Sequence, residues 1–64
     1  MTLITVNSRA IRAIGHDGYN LYIQFHSGDT IYTYPGVPFH VYLELINSDS
    51  PGTYYWRYIA GRYG

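Results

Sequence analysis

The sequence predicts an α+β chain in which a small antiparallel β-sheet of three to four strands is followed by two C-terminal helices. Three observations carry this. Apolar residues alternate between the Asp17-Gly18 and Pro35-Gly36 turns, helical spacing takes over after Pro38, and a second helical stretch opens on Ser50-Pro51.

The first strand is expected over Thr2 to Val6, ended by Asn7-Ser8, whose side chains favour a turn by bonding nearby backbone. Ala10 to His16 reads as a second extended segment. Ile11 and Ile14 have opposite parity in it, so both can face one side only if the strand bulges or ends early. Asp17-Gly18 is a strong turn dipeptide and leads into the central hairpin, Tyr19 to Pro35. Within it Leu21, Ile23 and Phe25 alternate with Tyr22 and Gln24, and Ser27-Gly28 reverses the chain. Pairing Phe25 with Thr30 sets Ile23 opposite Tyr32 and Leu21 opposite Tyr34. One face then holds Leu21, Ile23, Phe25, Tyr32 and Tyr34 and is assigned to the core; the other holds Tyr22, Gln24, Ile31 and Thr33.

Pro38 suits a first helical turn, where its missing N–H costs nothing, and the first helix is expected from Pro38 to Asn47. Phe39, Tyr42, Leu43 and Ile46 form the expected inward stripe, with Val41 and Leu45 on the far side. The second helix is expected over Pro51 to Ala60, capped by Ser50 and stopped by Gly61, with Tyr55 and Ile59 inward and Arg57 in water.

Sixty-four residues suit a single domain, residues 1–64, that buries only roughly 60% of its unfolded surface. An apolar fraction of 47% against 12% charge argues for folding over disorder. With no cysteine, and with His16, His26 and His40 far apart, neither disulfides nor a metal is expected to brace the chain, which leaves self-association as a homo-oligomer. No cofactor motif is present. No apolar run is long enough to span a membrane and none reads as a signal peptide, so the expectation is a cytoplasmic protein without a membrane partner.

Net charge is zero, so no basic field announces a nucleic acid. All four basic residues are arginines, however, and arginine binds phosphate as a planar fork and stacks on rings. Arg57 and Arg62 lie among Tyr54, Trp56, Tyr58 and Tyr63 around the second helix, a composition that can hold phosphate and base together; dipole stabilisation also accounts for Arg62. Trp56 falls outside the inward stripe and marks a contact surface. Arg9, Arg12 and Tyr22 make a second candidate patch, for which ordinary solvated charge is the alternative. Tyr32-Thr33-Tyr34 reads first as strand formers packed on Leu21 and Ile23 and second as stacking platforms for bases, and at a rim the two roles coincide. Ser8, His16 and Asp17 do not assemble a catalytic set, because His16 and Asp17 point to opposite faces and the Asp17-Gly18 turn accounts for the aspartate. No enzyme is expected.

In order along the chain, Val6, Ser8, Ile11, Ile14-Gly15, Asp17, Leu21-x-Ile23-x-Phe25, Gly28, Tyr32-Thr33-Tyr34, Val37-Pro38, Val41-Tyr42, Leu45, Ser50-x-Gly52-x-Tyr54-Tyr55 and Ile59 to Tyr63 resemble the KTSC domain. That module takes its name from the C-terminus of some lysyl-tRNA synthetases and also occurs as a free-standing bacterial or phage protein. The resemblance implies a domain for which RNA binding has been suggested from the synthetase context. His16 stands where the family usually has tyrosine, Trp56 where asparagine is common and Ala60 where arginine often occurs, so the ligand contacts are expected to differ. The resulting expectation is a non-enzymatic homo-oligomer that binds a nucleotide-type ligand through Arg9, Arg12, Tyr22, Tyr54, Trp56, Arg57 and Arg62. That ligand is RNA or a small phosphorylated nucleotide signal, sequestered as a phage anti-defence protein would do. The alternative is a protein-interaction or assembly module contacting its partner through Trp56, Tyr54, Val41 and Leu45.

Overall fold

The computed structural model describes residues 2–63. Strands β1 (Ile4–Thr5), β2 (Ile11–His16), β3 (Asn20–Phe25) and β4 (Ile31–Pro35) precede helices α1 (Phe39–Asn47) and α2 (Pro51–Tyr58). The strands form one antiparallel sheet in the order β1-β2-β3-β4, each beside its sequence neighbour, and both helices close one face. β1 is shorter than the Thr2 to Val6 expected, and α2 ends before Ala60.

The hairpin has the predicted register: Ile23 pairs with Tyr32 and Leu21 with Tyr34. In β2 the register shifts between Ile11 and Ala13, and this bulge lets both Ile11 and Ile14 turn inward despite their opposite parity. Gly18 turns the chain at φ 104°, where a side chain would be strained, and Asp17 holds that turn by accepting from the N–H groups of Tyr19 and Asn20 at 3.0 and 2.7 Å.

The core consists of Ile11, Ile14, Leu21, Ile23, Val37, Leu45 and Ile59, all fully buried. At about 1.5–3 kcal/mol for each such side chain removed from water, they dominate the stabilisation of so small a domain. Phe25, Tyr34, Tyr42 and Tyr55 pack around them. Tyr32 lies on the assigned face but at its rim, half exposed, its ring against Phe25 at 5.7 Å.

Helix α1 is rotated from the expected orientation. Leu45 is buried and Val41 half-buried, whereas Phe39 and Leu43 are 53% and 40% exposed. Apolar residues surround this helix, so its own pattern could not choose a face. Packing chose the stripe Val41, Tyr42, Leu45, Ile46, with the Tyr42 and Phe39 rings flanking His16 at 5.6 and 5.4 Å. Leu45 is therefore unavailable to a partner.

Candidate functional site

The surface around α2 is built by two short segments that meet. In the first, the Ser8 hydroxyl accepts from the N–H groups of Ala10 and Ile11, both at 3.3 Å, which folds residues 7–10 into a turn with Arg9 exposed on it. His26 ties this turn to the end of β3. Its backbone N–H donates to the Ala10 carbonyl at 3.0 Å, and its Nε2 bonds the Ser8 carbonyl at 2.9 Å; since a carbonyl can only accept, Nε2 carries the proton.

In the second segment, Ser50 caps α2. Its hydroxyl accepts from the Thr53 N–H at 3.4 Å and donates to the Thr53 hydroxyl at 2.8 Å, and Pro51 occupies the first helical position, buried. Gly52 brings the segments together, for a Cβ there would lie 3.5 Å from the Ala10 Cβ and 3.9 Å from the Ser8 hydroxyl oxygen. Anything larger than a methyl group would push α2 off the turn.

Between the segments lies an open groove of about 420 Å³, with Arg9 and Asn7 on one wall, Asp49 and Thr53 on the other, and Trp56 beside them. Trp56 is 73% exposed, yet it is not loose. Its ring stands edge-on to Tyr55 at 5.7 Å, and Tyr55 leans in turn on Phe25 at 5.3 Å and shares a 2.9 Å hydroxyl bond with Tyr34. The exposed indole is thus backed by a row of packed rings. Burial, followed by the bond to Tyr55, pushes the Tyr34 phenol far above its ordinary range, so it stays protonated at physiological pH.

A second groove of about 280 Å³ shares Asp49, Ser50 and Thr53 with the first and continues past Tyr54, Arg57 and Tyr58. The Tyr54 ring lies 4.7 Å from that of Tyr58, and its hydroxyl donates to Glu44 at 2.7 Å. Burial and then this bond raise the Tyr54 pKa to about 12, so the phenol stays a donor.

The structure thus gathers Arg9, Trp56, Tyr54 and Arg57 around one helix. Arg12 is exposed in the β2 bulge, and Arg62 follows the Gly61 turn; neither lines these grooves. Tyr22 lies apart, where its hydroxyl donates to Asp17 at 2.6 Å. That bond, with those from the Asn20 and Tyr19 backbone, holds the Asp17 carboxyl well below the usual carboxylate range, and Asp17 in turn raises Tyr22. Asn7, Asp49 and Thr53 line the grooves without having been singled out as ligand contacts, and Tyr58 joins them as one of the aromatic neighbours of Arg57. The sequence marks Asn7-Ser8 and Ser50-Pro51 only as a turn and a cap, and no local signal says that the two touch.

Both nitrogens of His16 are occupied: Nδ1 accepts from the Gly18 N–H at 3.0 Å, and Nε2 bonds the Val37 carbonyl at 2.7 Å. Among the described residues no group of three or more His, Cys, Asp or Glu could hold a metal ion, and no helix is long and apolar enough to cross a membrane.

A meandering four-stranded sheet closed on one face by two short helices, with its grooves at the start of the second, defines a small α+β module. The KTSC domain model matches residues 7–63, and the chain belongs to that family. Comparison with curated proteins finds no match.

Proposed function

We propose that this KTSC protein is a non-enzymatic, self-associating module that binds a nucleotide-type ligand, single-stranded RNA or a small phosphorylated nucleotide, along the two joined grooves of α2. The observation that carries the reading is Arg9 and Trp56 on one groove of about 420 Å³, continued by Tyr54 and Arg57 on the next. Each groove pairs a guanidinium with aromatic rings, the combination that engages phosphate and base together. Asp49 lines both grooves and repels phosphate, so it suits the donors of a ribose or a base amino group, while phosphate goes to Arg9 or Arg57. Sequestration of a nucleotide signal in the cytoplasm is the biological role that fits such a site.

Calorimetry with a nucleotide panel and a short single-stranded RNA tests this. Heat of binding that falls in W56A and R9A is the expected result; absence of heat with every ligand would sink the proposal. Exposed Phe39 and Leu43 favour a second reading, a protein-interaction surface on α1, now without Leu45. In that case, partner capture is lost in F39A and unaffected by R9A.

A further inference from the structure

β4 is one edge of the sheet, and the opposite edge, β1, is only two residues long. Edge strands carry unpaired N–H and C=O groups and are normally guarded by charge, bulges or brevity. Here the stretch from Thr30 to Phe39 has no charged residue, and Ile31 and Tyr32 are 42% and 50% exposed.

The direction of the free groups follows from the register. Asn20 pairs with Pro35, and proline has no N–H to give, so this must be a non-hydrogen-bonded pair of the alternating antiparallel ladder. Alternation then makes Leu21–Tyr34 and Ile23–Tyr32 the bonded pairs and turns the N–H and C=O of Ile31 and Thr33 away from β3, towards the open edge.

We infer that β4 pairs antiparallel with β4 of a second copy, centred on Tyr32, to make one continuous eight-stranded sheet across a two-fold axis. In that register Ile31 meets Thr33 of the other copy and Thr33 meets its Ile31, so every outward donor and acceptor of these residues is satisfied and no like charges are opposed. Centring on Thr33 instead would set Ile31 against Pro35, whose missing N–H leaves a carbonyl unpaired. The inference rests on the self-association part of the proposed function and names the surface responsible; it needs no ligand.

The chain has no cysteine, which permits a direct test. Tyr32 is placed opposite its own counterpart at a non-hydrogen-bonded site, where Cβ atoms approach to about 4.5–5.5 Å, within disulfide reach on modest adjustment. Under mild oxidation with diamide, Y32C should cross-link to a covalent dimer, and S27C, in the hairpin turn, should not. Light scattering should give twice the chain mass for the wild type, and exposed Ile31→Lys, checked for native circular dichroism, should weaken the dimer about tenfold or more. A wild type monomeric at every concentration overturns the inference together with self-association. A dimer in which Y32C links no faster than S27C, or which I31K leaves intact, overturns the β4 edge alone. Neither result bears on the nucleotide calorimetry.

Discussion

Two tyrosine-bearing surfaces of this domain differ in what their side chains already hold. Beside the Asp17 turn, the Tyr22 hydroxyl is bonded to Asp17 and Asn20 Nδ2 also donates to Asp17, so the polar groups are consumed in fastening a hairpin. Around α2, internal bonding fixes the rings from behind, through Tyr55 to Phe25 and through Tyr54 to Glu44, and leaves the faces of Trp56 and Tyr58 and the heads of Arg9 and Arg57 in solvent. Similar residue types are consumed in structure on one surface and left exposed on the other. Counting tyrosines and arginines cannot separate these roles; following each hydroxyl to its partner does.

The largest effect should come from the core beneath the α2 surface. Leu45→Ala is expected to cost about 2–5 kcal/mol in chemical denaturation, whereas Leu43→Ala on the same helix stays within about 0.5 kcal/mol, since only the first is buried. Equal costs would mean that α1 presents another face. Next is ligand affinity. Trp56→Ala should lose about 1–3 kcal/mol of nucleotide binding in calorimetry with little change in melting temperature, and Tyr22→Phe should do the reverse, keeping affinity and lowering stability. A Tyr22→Phe variant that binds more weakly would erase the contrast between the surfaces. Ser50→Ala, which removes the α2 cap, should cost about 0.5–1 kcal/mol by thermal melting; the 3.4 Å bond to the Thr53 N–H sets it at the low end for such caps.

The smallest effects are in titration. Asp17 is depressed in the folded state, so its contribution is full above the unfolded carboxylate pKa of about 3.9 and is lost as pH falls towards its lower folded value. Melting temperatures measured from pH 6 to pH 2 should therefore drop less steeply in Asp17→Asn than in the wild type, and added salt should shrink the difference because the carboxylate is exposed. Tyr54 has the opposite sign: its raised pKa stabilises the fold below the ordinary tyrosine pKa of about 10, and that contribution is lost as pH rises towards about 12. In Glu44→Gln, phenolate absorbance should show Tyr54 titrating at lower pH than in the wild type, back towards the ordinary tyrosine range, because the carboxylate that accepts its hydroxyl is gone; an unchanged alkaline titration would refute the coupling.

Much of the sheet was legible in the sequence because strand signals are local. The alternation of Leu21, Ile23 and Phe25 marked the hairpin face, and the parity clash of Ile11 and Ile14 pointed to a bulge or an early strand end, of which β2 contains the bulge. The α1 face was not legible, since Phe39, Val41, Tyr42, Leu43, Leu45 and Ile46 offer apolar surface in almost every direction and only the sheet decides between them. For the candidate site, the exposure of Trp56 and Arg57 followed from helical spacing. The meeting of Arg9 with Trp56 did not, because it depends on the contact of Gly52 with the Ser8–Ala10 turn, at opposite ends of the chain.

The meander has a kinetic corollary. Each strand pairs with the one made just before it, so the sheet can grow by successive short loop closures, each with a small entropy cost. Topologies of this local kind reach the native state within about milliseconds. Docking α2 on the Ser8–Ala10 turn closes a much longer loop, so the grooves are expected to assemble late and to open early.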